Sequence, residues 1–139
     1  MFWDSSAVVP LLVAQARSSE MTNLLRAGKT PAVWWATVVE CRSAIHRRHR
    51  ETPFPGGALD VGLRRLDQLL GGCDTVPPTE EVRRRAGRLL AVHALRAGDA
   101  LQLGAALVFA EEEQAVDFVC LDDRLRQAAA KEGFRLLPE

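Results

Sequence analysis

The sequence predicts an α/β domain in which a parallel sheet is covered by helices on both faces. Short apolar runs alternate along the chain with longer segments of helical periodicity. Strands of alternating pattern are too few for a sandwich, and near-continuous apolar strands are what a sheet buried on both faces requires. The chain has 139 residues, 47% of them hydrophobic, enough for one domain over residues 1–139 with a self-standing core.

The elements follow in order. Met1 to Trp3 reads as a buried strand, ended by Asp4-Ser5-Ser6. A helix start follows, with Pro10 permitted in its first turn. Ser18 to Arg26 has helical spacing and is closed by Gly28. Ala32 to Trp35 is a second strand, and Thr37 opens a helix reaching about Arg50. Thr37 with Glu40 three residues on has the form of a capping box. Pro53, Pro55, Gly56 and Gly57 break the chain. Leu59, Leu63, Leu66, Leu69 and Leu70 form the stripe of a helix closed by Gly71-Gly72. Thr75-Val76 is a short strand, and Thr79 caps a helix running through His93. The helix from Gly98-Asp99 to about Glu113 is apolar on more than one side. Val116 to Leu121 is a strand, Asp122-Asp123 opens a helix through Ala130 closed by Gly133, and Phe134 to Leu137 is the last strand.

Four carboxylates, Asp4, Glu40, Asp99 and Asp122, fall at helix N-termini. Taken singly, each is explained by capping. As a set they carry more. Asp4 and Asp122 directly follow apolar strands, which in a parallel sheet places them at the carboxyl edge, where ligand sites of open α/β sheets lie. Asp99 lies in an otherwise apolar helix start and needs a cation or a donor beside it. Converging carboxylates repel unless a divalent ion neutralises them, and oxygen ligands without a histidine or cysteine cluster suit Mg²⁺ or Mn²⁺. Such an ion orients a water, lowers its pKa and stabilises charge on a phosphoryl oxygen.

Lys plus Arg is 18 and Asp plus Glu is 18, so no overall field draws in polyanions. Nucleic-acid binding would have to come from local clusters. Cys41, Cys73 and Cys120 are widely spaced and odd in number, which argues against a zinc site or a disulfide scaffold. There is no uninterrupted apolar stretch of about 20 residues to span a membrane and no basic leader at the N-terminus, so a cytoplasmic location is expected. Ser5 and Ser6 have no adjacent histidine base, which argues against a serine hydrolase.

Four stretches in order resemble the PIN domain family, and within it the VapC-type ribonuclease toxins of toxin–antitoxin systems. They are Phe2-Trp3-Asp4-Ser5-Ser6-Ala7-Val8, then Thr37-Val38-Val39-Glu40 with Ser43-Ala44. Leu95 to Leu103 with Ala105-Ala106 is the third, and Phe118-Val119-Cys120-Leu121-Asp122 with Arg124-Leu125 the fourth. The resemblance implies a three-layer α/β/α PIN-like fold with a mostly parallel sheet. It also implies a Mg²⁺-dependent endoribonuclease in which Asp4, Glu40, Asp99 and Asp122 are the catalytic and metal-binding acids, with Mn²⁺ able to substitute. Ser6 would help hold Asp4. Gln102 stands where many relatives have histidine, and Cys120 where serine or threonine is usual, which removes a hydroxyl from the metal shell. Asp123 is read as a surface residue. The implied partners are an RNA substrate, a cognate antitoxin and a second copy in a homodimer.

Three arginine groups could touch RNA: Arg42, Arg47, Arg48 and Arg50 with His46 and His49; Arg83, Arg84, Arg85 and Arg88; and Arg64-Arg65. Each is equally readable as a solvated helix face, and Glu80 and Glu81 partly cancel the second. Residues 41–100 hold 11 basic and 7 acidic side chains, residues 101–139 only 4 and 8, so the substrate grip is expected in the central half. His93 is read as a packed, hydrogen-bonded histidine, and at least one of Trp34 and Trp35 as core. The alternatives to a toxin are a PIN nuclease of RNA processing and a non-catalytic protein-binding α/β domain that keeps its acids as caps.

Overall fold

The architecture is seen in a computed structural model that describes residues 1–113 and 115–139. Five strands form one all-parallel sheet: β1 (Phe2–Trp3), β2 (Ala32–Trp34), β3 (Asp74–Val76), β4 (Asp117–Val119) and β5 (Arg135–Leu137). Their order across the sheet is β3-β2-β1-β4-β5. The chain therefore winds outward from β1 in one direction, returns, and winds outward in the other. The point of reversal lies at β1, whose Phe2 and Trp3 pair with Phe118 and Val119 of β4.

Side chains alternate between the two faces along each strand. Phe2, Ala32, Trp34 and Phe118 pack into one core with α5 (Glu80–Val92), α6 (Ala97–Glu112) and α7 (Asp123–Lys131). Trp3, Val33 and Val119 pack into a second with α1 (Ser5–Leu12), α2 (Ser18–Ala27), α3 (Thr37–Glu51) and α4 (Ala58–Gly71). This is the expected three-layer α/β/α arrangement. Each core is closed by short-range apolar contact, such as the stacked rings of Phe2 and Phe118 at 5.8 Å.

The local expectations differ from the structure in three places. Pro10 is not in the first turn of a helix but in the second half of α1, because the Asp4 carboxylate accepts from Ser6 N and starts the helix there. Proline at that position cannot donate to the Ser6 carbonyl, and α1 ends two residues later at Leu12. The strand read over Val116 to Leu121 is ordered as such only at Asp117–Val119. Thr37 and Glu40 do not form a capping box. Ala36 is the N-cap of α3 without a side-chain bond, and Thr37 is fully buried. Their oxygens are engaged by a third residue in the site below.

Other expected devices are present. Thr79 accepts from Val82 N, and the leucine stripe of α4 faces the second core. Gly28 ends α2 with φ −91°, so no left-handed backbone calls for glycine there; a Cβ would displace the flexible end of the Met1 side chain and lie 3.2 Å from Leu24 O. No helix among the described residues is long and apolar enough to cross a membrane.

Candidate active site

Each of the four acids sits where a helix begins at the carboxyl edge of the sheet. Asp4 is the N-cap between β1 and α1, and Asp122 the N-cap of α7, which follows β4. Glu40 lies in the first turn of α3 after β2, and Asp99 in the first turn of α6. Since β1 and β4 are neighbours at the point of reversal, the crevice between their ends is where an open α/β sheet admits a ligand. All four line one cleft of about 500 Å³, together with Ser43 and Arg47. Asp123 is exposed and lies outside it.

Asp4 is only 4% exposed. Its Oδ2 accepts from Ser6 N at 2.9 Å and from the Ser6 hydroxyl. Ser6 Oγ in turn accepts from Leu121 N at 2.9 Å, which ties the exit of β1 to the exit of β4. Burial pushes the Asp4 carboxyl above its ordinary range, the Ser6 bonds oppose this, and the charge of Asp99 adds to it. Cys120 Sγ lies 3.7 Å from the same oxygen. Burial raises the Cys120 thiol as well, so it stays a neutral, weak donor, and the strong bond a hydroxyl would make comes from Ser6 alone.

Glu40 is held from across the cleft. Gln102 Nε2 donates to Glu40 Oε2 at 2.7 Å and lies 3.3 Å from Thr37 Oγ1. Only the amide nitrogen can face a carboxylate, which fixes the orientation of this side chain. Desolvation raises the Glu40 carboxyl, Gln102 pulls it back, and the charges of Asp4 and Asp99 push it up again. Burial likewise raises Asp99, opposed by the Arg96 N–H at 3.4 Å and reinforced by Asp122. Asp122 Oδ1 accepts from Leu125 N at 2.9 Å. Capping and convergence are thus not rival roles: Asp4, Asp99 and Asp122 each cap with one oxygen and still line the cleft.

The donor set is all oxygen. Among the described residues the hydrogen bonds to Asp4, Asp99 and Asp122 fall on one oxygen of each, leaving Asp4 Oδ1, Asp99 Oδ1 and Asp122 Oδ2 without a protein donor. No three His, Cys, Asp or Glu side chains among the described residues close around a single point as an ion cage would require. The cleft is therefore open and acidic. That suits Mg²⁺, which keeps most of its waters and takes one or two carboxylates plus substrate phosphate, better than an ion needing a full protein cage.

Gln102 was visible in the sequence, yet its contact with Glu40 was not anticipated. The usable signal was a carboxamide inside the apolar run Ala100-Leu101-Gln102-Leu103, since a buried amide must find partners. His93 is packed as expected, with Nε2 2.7 Å from Glu132 Oε1, and has no part in the cleft. Trp34 is core, and Trp35 is 57% exposed.

A doubly wound parallel sheet with four carboxylates gathered at its switch point defines the chain as an α/β protein with an acidic ligand cleft. The PIN domain family profile matches residues 1–131, and the chain belongs to that family. No curated protein sequence matches it. Among solved structures, VapC20 of Mycobacterium tuberculosis, described as a Sarcin-Ricin loop cleaving toxin, aligns with TM-score 0.67 at 17% identity over 96% of this chain and 95% of that one. FitAcB of Neisseria gonorrhoeae aligns with TM-score 0.67 at 16% identity, over 97% and 94%. A toxin–antitoxin complex from Klebsiella pneumoniae aligns with TM-score 0.62 at 14% identity, over 87% and 85%. At these identities the likeness is one of fold.

Proposed function

We propose that this protein is a Mg²⁺-dependent endoribonuclease, with Mn²⁺ able to substitute, and the toxin of a toxin–antitoxin pair. One observation carries the reading: Asp4, Glu40, Asp99 and Asp122, from four separate elements, line one cleft at the switch point of a PIN domain. These four residues would hold the ion or ions, which when bound supply an activated water and charge stabilisation at the phosphoryl group. The chain's own contribution is placement. Ser6 fixes Asp4 and couples it to β4, Gln102 fixes Glu40, and the α6 and α7 N-termini orient Asp99 and Asp122. The helix N-termini also add partial positive charge, which favours a phosphate at the cleft.

The toxin assignment draws support from the fold neighbours whose descriptions name a toxin and a toxin–antitoxin complex. A cognate antitoxin and a homodimer belong to the same proposal. The test is RNA cleavage by purified protein, with Mg²⁺ and with chelator, beside Asp4→Asn. Cleavage should require the ion and fall by about a hundredfold or more in the variant, on the scale of losing one charged transition-state contact. Expression should arrest growth for the wild type and not for the variant. Undiminished cleavage by folded Asp4→Asn protein would end the assignment.

A further inference from the structure

The structure separates the arginine groups that the sequence offers as candidate RNA contacts. Arg83 and Arg84 pair with Glu80 and Glu81 at 2.6 Å, Arg85 pairs with Glu81 and Glu111, and Arg88 with Glu132. Arg42 Nη2 donates to both carboxylate oxygens of Asp67, at 2.8 and 3.0 Å. Those cations are spent on the protein's own carboxylates. Arg47, Arg48, Arg50, Arg64 and Arg65 are exposed and make no ion pair among the described residues, and of these Arg47 and Arg48 line the acidic cleft or the groove beside it.

Their position gives that freedom a use. Glu40, Ser43, Ala44, Arg47 and Arg48 recur at helical spacing and form one stripe along α3. Arg47 lines the acidic cleft and also the adjoining groove of about 490 Å³, where Arg48 and Gln15 lie. Both arginines line the next hollow as well, which ends at Glu51 and Phe54. One face of one helix therefore carries a carboxylate at the reaction centre and, about 10 Å further along its axis, two uncommitted guanidinium groups. Arg17, which also lines the adjoining groove, is already paired with Glu20.

We propose that Arg47 and Arg48 hold the backbone phosphates of the RNA strand next to the one in the acidic cleft. This rests on the endoribonuclease reading and deepens it. The four acids repel a polyanion, and a molecule without net charge offers no long-range attraction to overcome that. Cations beside the cleft must therefore seat the strand, and Arg47 in the cleft wall with Arg48 in the adjoining groove are placed to do so. The guanidinium planes match phosphate oxygens in pairs, whereas base identity is not read by them.

The competing role is structural: Arg48 lies in the last turn of α3, where a cation favours the helix C-terminus. Binding of a short fluorescein-labelled single-stranded RNA of mixed sequence, in Ca²⁺ and across a salt series, separates the two. Each phosphate contact contributes about 0.7 to the slope of log K against log salt for single strands. Arg47→Ala/Arg48→Ala should therefore flatten the slope by about 1.4, and the gap to wild type should shrink about sevenfold between 50 and 200 mM salt. Arg47→Lys/Arg48→Lys should keep the slope, as should Arg83→Ala/Arg84→Ala, which removes the same charge from the committed group. An unchanged slope in the alanine pair overturns the proposal, and so does a lower melting temperature with unaltered RNA affinity. Equal binding of polyglutamate with the same arginine dependence also overturns it, in favour of an acidic polypeptide. Failure here, with ion-dependent cleavage still lost in Asp4→Asn, refutes the strand path and leaves the nuclease standing. Absence of cleavage by the wild type refutes the nuclease.

Discussion

Asp4, Thr37 and Gln102 are the three polar or charged side chains buried among the described residues, and all three belong to the acidic cleft or its immediate support. Buried polarity costs free energy unless it is hydrogen-bonded. Here the bonds run between site residues: Ser6 to Asp4, and Gln102 to Glu40 and Thr37. Gln102 is the test of this, because it touches the reaction centre only through Glu40. Gln102→Leu keeps most of the volume and removes the donors. It also removes Oε1, which has no partner of its own. Cleavage should fall about tenfold or more, since a hydrogen bond to a charged group is worth about 1.5–3 kcal/mol. The melting temperature should change little. Retained cleavage with a large drop in melting temperature would reduce Gln102 to a packing residue. At this scale the sequence was partly legible. The acids could be found from their positions after strands, but the donor that orients Glu40 sits 62 residues away from it, and no local pattern joins the two.

At the scale of elements, α5 and α6 show how one glycine sets the approach of two helices. A Cβ built on Gly104 of α6 would lie 3.0 Å from Val82 O and 3.2 Å from Ala86 N, both backbone atoms of α5. The two helices approach so closely because that side chain is absent, and the approach sets where the α6 N-terminus delivers Asp99. Gly87 of α5 has nothing within 4 Å. The same substitution should therefore have opposite signs at the two positions. Gly87→Ala should stabilise by about 1 kcal/mol through helix propensity. Gly104→Ala should destabilise, because an overpacking cost of about 1–3 kcal/mol exceeds that gain. Denaturant midpoints would decide, and a gain at Gly104 would show that the helices can separate freely. The periodicity of each helix was plain in the sequence, as were Thr79 and the leucine stripe of α4. The failures came where tertiary contacts outweighed local ones. Thr37 and Glu40 match a capping box by spacing, but both are engaged by Gln102 in the core. Pro10 suggests a helix start, but Asp4 supplies a stronger one earlier in the chain.

For the whole molecule, zero net charge conceals a division. Among the described residues, seven of the sixteen arginines are paired with the chain's own carboxylates, while the carboxylates of the cleft face one another. The doubly wound order of the sheet could be inferred as a class from alternating strands and helices. The convergence of acids 23 to 118 residues apart required the sheet order itself, β3-β2-β1-β4-β5. That convergence should be measurable as a stability deficit. Asp4, Glu40 and Asp99 all have carboxyls raised above their ordinary values, chiefly by burial. The folded state therefore holds protons that the unfolded chain releases, and stability falls as pH climbs from the ordinary carboxylate range through the raised values. Asp99→Asn removes one charge while keeping a cap acceptor for Arg96 N. In chelator near pH 7.5, this variant should melt at a higher temperature than the wild type, and the difference should vanish near pH 4. Adding Mg²⁺ should then raise the wild type in a saturable way, by about 2.7 kcal/mol at a hundred times its dissociation constant, and raise the variant less. A variant that melts lower in chelator would show that Asp99 stabilises the fold as a cap. Equal Mg²⁺ shifts in both proteins would remove Asp99 from the ion's ligands.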